Sequence, residues 1–378
     1  MVNPVQHQAR RKLSAAPYST QSISLLNGLI RRRAEALVNR LITGAAMSPL
    51  HTVDAFEICG LYSLEVICQA AFAIDLDSKP AFLDSSALLK AMDGSAKMLI
   101  IDSTLPFLRK TGLEQKVPGV IGDCYRKHAY WQSVSRLMTN HLLKTTMTSQ
   151  DCDKYLVTPL LTGVDSFLGR KLTYEEILEE AMGIMFAGSG TTSTTLTYLF
   201  YALSLPSNQV VQKTLREQVR SLPENDIAVL RKMPYLNAVI KETFRLYPTI
   251  ISTLPRTIIK PIEVGGFVLP VGTVVGMQNY VHQRDPRVFS EPERFDPERW
   301  LSSSPEMEQC LTPFSVGKRN CIGQNLAWDE IYLAVEAMMR SGVTLELGDE
   351  MGDWEMNMED RFNIAPKGRR LMLKVTKP

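Results

Sequence analysis

Phe314-Ser-Val-Gly317-Lys-Arg319-Asn-Cys321-Ile-Gly323 is the most informative stretch of this sequence, and it leads directly into a predicted helix. Gly317 and Gly323 place no side chain where the backbone must turn sharply or approach a flat ligand. Cys321 stands at the start of the helix, where partial positive charge favours the thiolate. Arg319 provides a cation that can hold a carboxylate. The stretch therefore predicts a thiolate that binds one large cofactor.

The alternative for Cys321 is a buried structural cysteine flanked by turn glycines. The cysteines contain no CxxC pair, so we expect reduced thiols and not a disulfide framework; they are Cys59, Cys68, Cys124, Cys152, Cys310 and Cys321. None of the 5 histidines pairs with another at helical spacing, which argues against a zinc site.

The composition indicates a globular protein with a large core. The chain has 378 residues, of which 45% are hydrophobic. Its 42 basic and 40 acidic residues leave a net charge of +2, which argues against a nucleic-acid binder. Residues 181–212 carry no charge and are long enough to span a bilayer, but their Gly/Ser/Thr-rich centre is too polar for lipid. We therefore expect a helix buried inside the protein.

Hydrophobic periodicity predicts a mostly α fold with a minor β region. The predicted helices cover residues 22–43, 53–73, 121–144, 175–205, 210–219, 233–246 and 324–340. Short strands are predicted between Thr257 and Tyr280 and again between Leu345 and Val375, where β-branched residues alternate with turns. Residues 284–301 are punctuated by prolines and predict irregular structure. Without a repeat or a flexible linker, residues 1–378 are expected to form a single domain.

A second signal is the pair Glu242 and Arg245. Their i, i+3 spacing puts a carboxylate and a guanidinium on one face of a helix, where they can pair. Arg299 lies in the irregular stretch that precedes the cysteine. A glutamate held by two arginines could fix that stretch against the helix.

The third signal is the centre of the long helix predicted at 175–205. Gly188 and Gly190 each cost about 1 kcal/mol relative to alanine in a helix interior. Thr191 and Thr192 can hydrogen-bond to preceding carbonyls and bend the helix. This composition favours a groove over a ligand, and a close helix–helix contact is the alternative.

These three elements, in this order, resemble the cytochrome P450 family, the haem-thiolate monooxygenases. The similarity covers at least residues 186–326 and consists of A-G-x-x-T-T at 187–192, E-x-x-R at 242–245, P-E-R-W at 297–300 and the cysteine stretch at 314–323. Arg256 is similar to the family's strand arginine that meets a haem propionate. His7 and Arg11 are similar to an early helix motif that also contacts the propionates.

The resemblance implies a triangular, mostly helical fold with haem b between the long helix and the helix after the cysteine. Cys321 would be the iron ligand, and Thr191, together with Thr192, would steady dioxygen and route protons. The residues implied to bind the cofactor are Cys321, Arg319, Arg256, Phe314, Gly323, His7 and Arg11. Glu242, Arg245 and Arg299 would be structural.

The implied reaction inserts one atom of O2 into a lipophilic small molecule and reduces the other atom to water. Electrons would come from NADPH through a separate NADPH–cytochrome P450 reductase. The sequence is similar in style to fungal members that tailor secondary metabolites. The family is expected at the cytosolic face of the endoplasmic reticulum membrane. Because the polar start of the chain contains no anchor, a cytoplasmic location is the other expectation.

The sequence departs from the family pattern in two places. Gly190 stands where the family usually carries an acid, and the chain begins near the early propionate helix. The anchor, the first helices and strands and the loop that roofs the substrate pocket have no counterpart. Two alternatives are therefore a truncated, weak or inactive haem-binding relic and a rearrangement or dehydration catalyst that needs no external electrons. The substrate pocket is expected from residues 186–189, 250–254 and 356–358.

Overall fold

The protein is mostly helical in a computed structural model that describes residues 3–78, 80, 83–108, 112–148, 154–224 and 226–376. The helices, in chain order, are α1 Pro4–Ser14, α2 Thr20–Ser24, α3 Asn27–Met47, α4 Ala55–Phe72, α5 Ser85–Thr104, α6 Gly119–Thr148, α7 Thr158–Thr162, α8 Tyr174–Ser204, α9 Gln209–Ser221, α10 Ile227–Lys232, α11 Pro234–Leu246, α12 Asn279–His282, α13 Pro305–Cys310 and α14 Gln324–Ser341.

The β structure is minor, as predicted, and is antiparallel throughout the described pairs. The strands are β1 Thr52–Asp54, β2 Arg256–Thr257, β3 Ile262–Val264, β4 Phe267–Leu269, β5 Val274–Val275, β6 Thr344–Leu347, β7 Met358–Arg361, β8 Asn363–Pro366 and β9 Met372–Thr376. Strand β9 lies between β1 and β6, and the other strands form the pairs β2–β5, β3–β4 and β7–β8. The sheet around β9 joins the last strand to the segment between α3 and α4, because Thr52 lies opposite Lys374.

Helix α8 is the central element, and its two ends follow from local sequence. The Thr173 hydroxyl accepts a hydrogen bond from Glu176 N (3.3 Å), and the Glu176 carboxylate accepts one from Thr173 N (2.7 Å). This capping box satisfies two free donors at the start of the helix. At the other end Leu205 is extended before Pro206, which cannot continue the helix. The predicted limits of 175–205 are confirmed to within a residue.

Helix α4 packs along α8 and forms the middle of the hydrophobic core with it. Within the described part of the chain α4 is the one helix long and apolar enough to cross a membrane, and 78% of it is buried in the protein. This burial identifies α4 as a helix of the hydrophobic core. The uncharged stretch predicted to be a buried helix, 181–212, contributes mainly to α8, whose second half is almost entirely buried.

Two sequence expectations are corrected. The helix predicted at 22–43 is two helices, α2 and α3, which meet around Leu25 and Leu26. Helix α5 lies in a part of the chain where no helix was predicted; Asp84 caps it by accepting from Ala87 N at 2.9 Å. The cysteines are unpaired where the structure describes them, at Cys59, Cys68, Cys124, Cys310 and Cys321. Cys152 lies outside the described residues.

The predicted clasp around Glu242 is present, and its central pair is fully buried. Arg245 Nε and Nη2 each donate to the Glu242 carboxylate at 2.8 Å, and both side chains are 0% exposed. Arg299 Nε donates to the same carboxylate at 3.1 Å, and Trp300 Nε1 donates at 2.8 Å. A fifth donor is the backbone N–H of Asp296 at 2.9 Å. One carboxylate on α11 thus holds the segment that leads to the cysteine loop.

Arg245 extends the clasp to the carbonyls of the irregular stretch. Its Nη1 donates to the carbonyl oxygens of Gln283 (3.0 Å) and Pro292 (2.6 Å), and its Nη2 donates to that of Arg294 (3.1 Å). A stretch without regular structure must find partners for its backbone groups elsewhere. Here a planar guanidinium with five N–H donors supplies several of them.

We expect Glu242→Gln to destabilise the protein by about 3–5 kcal/mol, because it leaves two buried arginines without their counter-charge. The matched control is Glu293→Gln on the exposed pair with Arg284, where Glu293 is 70% exposed. Loss of such a pair costs about 1 kcal/mol or less. Urea unfolding followed by circular dichroism measures both. Equal midpoints for the two variants would contradict a structural role for the clasp.

Candidate active site

A cavity of about 430 Å³ lies between α8 and the segment that leads into α14. This volume is within the range of about 300–1,000 Å³ that is usual for small-molecule and cofactor sites. Apolar side chains form much of the wall, among them Ile67, Ile184, Ala187, Ile250, Leu254 and Leu326. Cys321, Arg319, Phe314, Gly323, Thr191 and Thr192 also line it. Six of the predicted site residues therefore face one space.

Cys321 is fixed by the backbone of its own loop. Its N–H donates to the carbonyl oxygen of Phe314 at 2.8 Å. Burial raises the pKa of the Cys321 thiol, and this effect exceeds the opposing hydrogen bond from the Gly323 N–H and the charge of Arg11. The preference for a thiolate at the helix start stays a prediction. Coordination to a metal cation would remove the proton.

The two glycines of the cysteine loop suit their positions for different reasons. Gly317 has φ +75°, a left-handed conformation that side chains disfavour, and Ser315 two residues earlier has φ +59°. Gly323 has an ordinary φ of −83°. A Cβ on Gly323 would meet nothing closer than the Cys321 sulfur at 3.9 Å. Gly317 thus shapes the turn, whereas Gly323 keeps the cavity open beside the sulfur.

Phe314 anchors the loop in the aromatic layer between α11 and α14. Its ring lies edge-on to Phe244, with centroids 5.5 Å apart, and is tilted against Trp328 at 5.9 Å. Phe244 also meets Trp328 edge-on at 5.5 Å. Such ring arrangements are stabilising beyond the area they bury. The cysteine loop is therefore held by packing on one side and by the Glu242 clasp before it.

Three predicted cofactor-binding arginines and the predicted His7 lie near one end of this loop. The pKa of His7 is lowered first by burial and then by the positive charges of Arg319, Arg11 and Arg256. Arg11 is attached to the loop, because its Nη1 donates to the Asn320 carbonyl at 2.6 Å and its Nη2 to the Asn320 side chain at 2.7 Å. Helix α1, strand β2 and the cysteine loop thus bring like charges together, which is favourable where an anion binds.

The hydroxyls of the two threonines at the centre of α8 face different groups. Thr191 Oγ1 donates to the carbonyl of Ala187 at 2.8 Å, as predicted. Thr192 instead faces the carboxyl of Glu330 on α14. Helix α8 runs through this region without interruption. Both residues line the cavity.

Gly188 and Gly190 differ in what a Cβ at each position would contact. A Cβ on Gly188 would lie 2.5 Å from Cδ1 of Ile67, so Gly188 permits the close contact of α8 with α4. The alternative of a helix–helix contact therefore holds for Gly188. A Cβ on Gly190 would lie 3.3 Å from the amide of Asn363, which donates to the Gly190 carbonyl at 3.4 Å.

Comparisons with known proteins agree with this arrangement. The sequence profile described as Cytochrome P450 matches residues 2–356. The chain belongs to the cytochrome P450 family. It is 29% identical to cytochrome P450 monooxygenase orf2 of Aspergillus niger, over 99% of this chain and 75% of that protein. It is 28% identical to cytochrome P450 monooxygenase azaI of the same species, over 99% of this chain and 83% of that protein.

The fold agrees with the family as well. The solved structure of retinoic acid-bound cyanobacterial CYP120A1 matches this P450 with a TM-score of 0.78 and 18% identity, covering 98% of this chain and 79% of that one. The predicted fold class is therefore confirmed. Together with the named relatives, the family membership makes this P450 a monooxygenase.

The cavity fits the haem that the family implies. Among the described residues, no three His, Cys, Asp or Glu side chains cluster as ligands for a bare metal ion. A haem brings four of the iron's ligands in its porphyrin ring and takes an axial ligand, such as a cysteine thiolate, from the protein. The cavity offers a single thiol, an open backbone beside it at Gly323, and cations at one end that suit carboxylates.

Sequence reasoning missed several residues of the site. Glu330 is 1% exposed, lines the cavity, and burial raises the pKa of its carboxyl well above the usual value. Its position four residues after Leu326, on the same helix face, was the available signal. Tyr18 also lines the cavity. Arg10 is buried next to the predicted Arg11 and donates to Asp165 at 2.8 Å, which fixes α1.

One expectation about the pocket is corrected. Ala187, Gly188, Ile250 and Leu254 line the cavity as predicted. Residues 356–358 do not, because Met356 is buried in the hydrophobic core, where Met358 packs against it. The chain that enters the neighbourhood of α8 is instead the next part of the hairpin, around Asn363.

We expect Gly188→Val to destabilise this P450 by about 1–3 kcal/mol, because the added methyl groups overlap Ile67. The matched control is Gly190→Ala, whose methyl group meets a side-chain amide that can shift. It gains up to about 1 kcal/mol in helix propensity. Thermal unfolding compares them, and Ile67→Ala should partly restore Gly188→Val. If Gly190→Ala proves the more damaging change, the assignment of the α4–α8 contact is wrong.

Proposed function

We propose that this P450 binds haem b through the sulfur of Cys321 and inserts one atom of O2 into a lipophilic small molecule. The observation that carries the proposal is the shared cavity of Cys321 and the α8 threonines, with a cationic cluster at its end. When bound, a haem with a thiolate ligand supplies the chemistry of O–O cleavage. The protein holds the cofactor, orients the substrate and delivers protons.

The cationic cluster is assigned to the haem propionates. Arg319 and Arg256, with His7 and Arg11, would neutralise the two carboxylates by charge-assisted hydrogen bonds. Arg11 is already rigid through Asn320. Gly323 would allow the ring to lie close to the backbone, and the Phe314 loop would support it. Each role follows from a residue that borders the cavity or contributes to the charge around His7.

Proton delivery is assigned to the hydroxyls of α8. Thr191 Oγ1 can turn from the Ala187 carbonyl towards the cavity, where it can accept one proton and donate another. No carboxyl stands at position 190, because that residue is glycine. Thr191 and water therefore perform the step that an acid at 190 would assist, and we expect slow proton delivery.

The apolar wall of the large cavity supports a substrate class, and the similar fungal proteins support a biological role. The wall near Ile250 and Leu254 is apolar, which suits a lipophilic substrate. Similarity to the fungal monooxygenases orf2 and azaI supports a role in secondary metabolism. Electrons would come from NADPH through a separate reductase. We place the reaction at the cytosolic face of the endoplasmic reticulum.

The test is the absorption spectrum of the reduced protein with carbon monoxide. We expect a Soret band strongly shifted to the red by the sulfur ligand, and we expect Cys321→Ala to abolish that shift. Cys310→Ala, in α13, is the matched control and should keep it. If Cys321→Ala retains the shifted band, or the wild-type protein incorporates no haem, the proposal fails.

Measurements of turnover distinguish a monooxygenase from a rearrangement or dehydration catalyst that needs no external electrons. With haem bound, NADPH and a reductase should give substrate-dependent oxygen consumption and a product that carries one atom from labelled O2. Thr191→Ala should lower product per NADPH oxidised. Product formed without NADPH would instead favour a rearrangement or dehydration.

The His7 pKa tests the propionate assignment. In the protein without haem it should lie below the ordinary value of about 6.5, since burial and three arginines disfavour the charged ring. Between the lowered pKa and 6.5 the unfolded chain binds more protons, so His7 favours folding less as the pH falls. Two nearby propionates should raise the pKa. Histidine NMR with and without haem measures this, His7→Asn identifies the signal, and an unchanged pKa would refute the assignment.

A further inference from the structure

Glu330 is a carboxylic acid enclosed between α14 and the centre of α8. It is 1% exposed and lines the large cavity that Cys321 and Thr191 also line. Neither of its carboxyl oxygens reaches solvent, and neither makes a hydrogen bond of ordinary geometry in the described structure. Buried polar atoms without a partner are rare in native proteins, and each one costs stability. Such a group points to a role other than stability.

Glu330 differs from the other buried carboxyl groups in having no cation beside it. Seven acidic side chains are buried in the part of the chain that the structure describes. Six of them form an ion pair with an arginine, and Glu330 forms none there. The pairs are Glu65–Arg40, Asp165–Arg10, Glu242–Arg245, Asp329–Arg231, Glu336–Arg31 and Glu355–Arg370. Burial of an unpaired carboxylate is so costly that the group takes up a proton instead.

The surroundings of Glu330 favour its protonated form. Burial raises the pKa of the Glu330 carboxyl well above its usual value, and the negative charge of Asp329 acts in the same direction. The hydroxyl of Thr192 lowers this pKa, but burial outweighs it. Tyr62, on α4, donates to the backbone carbonyl of Glu330 at 2.8 Å and not to the carboxyl. A protonated carboxyl has an O–H group that can donate its proton.

Thr192 connects this carboxyl with the large cavity. It faces Glu330, and it lines the cavity next to Thr191. Thr191 Oγ1 donates to the Ala187 carbonyl, so that hydroxyl is bonded to its own helix. The Thr192 hydroxyl instead lies close enough to Glu330 to lower the pKa of the carboxyl. Because a hydroxyl is both a donor and an acceptor, it can pass a proton from an acid to water.

We propose that Glu330 is the proton donor of the large cavity and that it acts through the hydroxyl of Thr192. The carboxyl O–H bond breaks as the Thr192 oxygen takes up that proton, and Thr192 releases its own proton to water in the cavity. The carboxylate then recovers a proton along the same path from water that enters between turnovers. The inference rests on the proposed function, because reduction of an oxygen atom to water consumes protons.

This route supplies the acid that position 190 lacks. Gly190 has no side chain, whereas Glu330 reaches the centre of α8 from α14. Thr191 and water still complete the delivery inside the cavity, and Glu330 is the acid from which the protons come. Because Glu330 acts through Thr192, its loss should slow proton transfer and leave the attachment of the haem unchanged.

Infrared spectroscopy of the holoenzyme tests whether Glu330 carries a proton. We expect a C=O stretching band of a protonated carboxylic acid at neutral pH, which shifts in D2O and is absent from Glu330→Gln. Thr192→Val should shift the band, because it removes the hydroxyl that faces the carboxyl. The matched control is Glu336→Gln on the same helix, which should leave the band unchanged because the buried Glu336 is paired with Arg31 at 2.7 Å. Identical spectra of Glu330→Gln and wild type would overturn the proposal.

Oxidation of NADPH by the holoenzyme, with a reductase and O2, tests the transfer of the proton. We expect Glu330→Gln to lower the rate at least about 10-fold and to raise the solvent isotope effect, since water alone must then supply the proton. Glu330→Asp keeps an acid and should restore part of the rate. Thr192→Ser should keep more of the rate than Thr192→Val. Reduction of the iron under carbon monoxide needs no proton from Glu330, so its rate should be the same in all variants.

A purely structural role of Glu330 predicts the opposite order of variants. Glutamine keeps the shape of glutamate, whereas aspartate leaves a gap, so a structural residue would tolerate Glu330→Gln better than Glu330→Asp. That order, or a wild-type rate without a solvent isotope effect, would refute the proposal. The carbon monoxide spectrum of the same samples reports the proposed function separately. A red-shifted band in every variant, combined with an unchanged rate in Glu330→Gln, would reject this inference alone.

Discussion

A single buried carboxylate, Glu242, determines where the cysteine loop lies. Residues 284–301 have little regular structure and cannot hold themselves in place. Glu242 binds Arg245, Arg299 and Trp300 at distances of 2.8–3.1 Å, and Arg245 binds the surrounding carbonyls. A charge buried this deeply is tolerated only because it is fully paired. The position of Cys321 against α8, and with it the shape of the cavity, depends on this clasp.

The helices that carry the site were predictable because their signals are local. The capping residue Thr173 and the terminating Pro206 define α8 in the sequence itself. Helix α5 escaped prediction because Gly94 and charged residues interrupt its apolar pattern. It is stabilised by packing against α6, the next α-helix along the chain, which is a contact outside its own segment. Periodicity within one segment carries no information about such a partner.

The residues of the site also divide into those with a local sequence signal and those identified only by the fold. The residues of the cysteine loop and the α8 threonines are contiguous motifs, so their spacing revealed them. Glu330 is a single acidic residue, and its place in the site follows from its burial and from Thr192 opposite it. The helix start predicts a thiolate at Cys321, and burial in the folded chain acts on the pKa of that thiol in the opposite direction. A sequence shows which groups are present, and the folded chain decides which of them are desolvated.

The large, mostly apolar cavity beside α8 brings the Cys321 thiol and the α8 threonines to one space. The central claim is that the iron of the bound haem is attached to the Cys321 sulfur. X-ray absorption at the iron edge of the purified holoenzyme measures this bond directly. The account predicts one iron–sulfur scattering path that disappears in Cys321→Ala. An iron surrounded only by nitrogen and oxygen in the wild-type protein would contradict it.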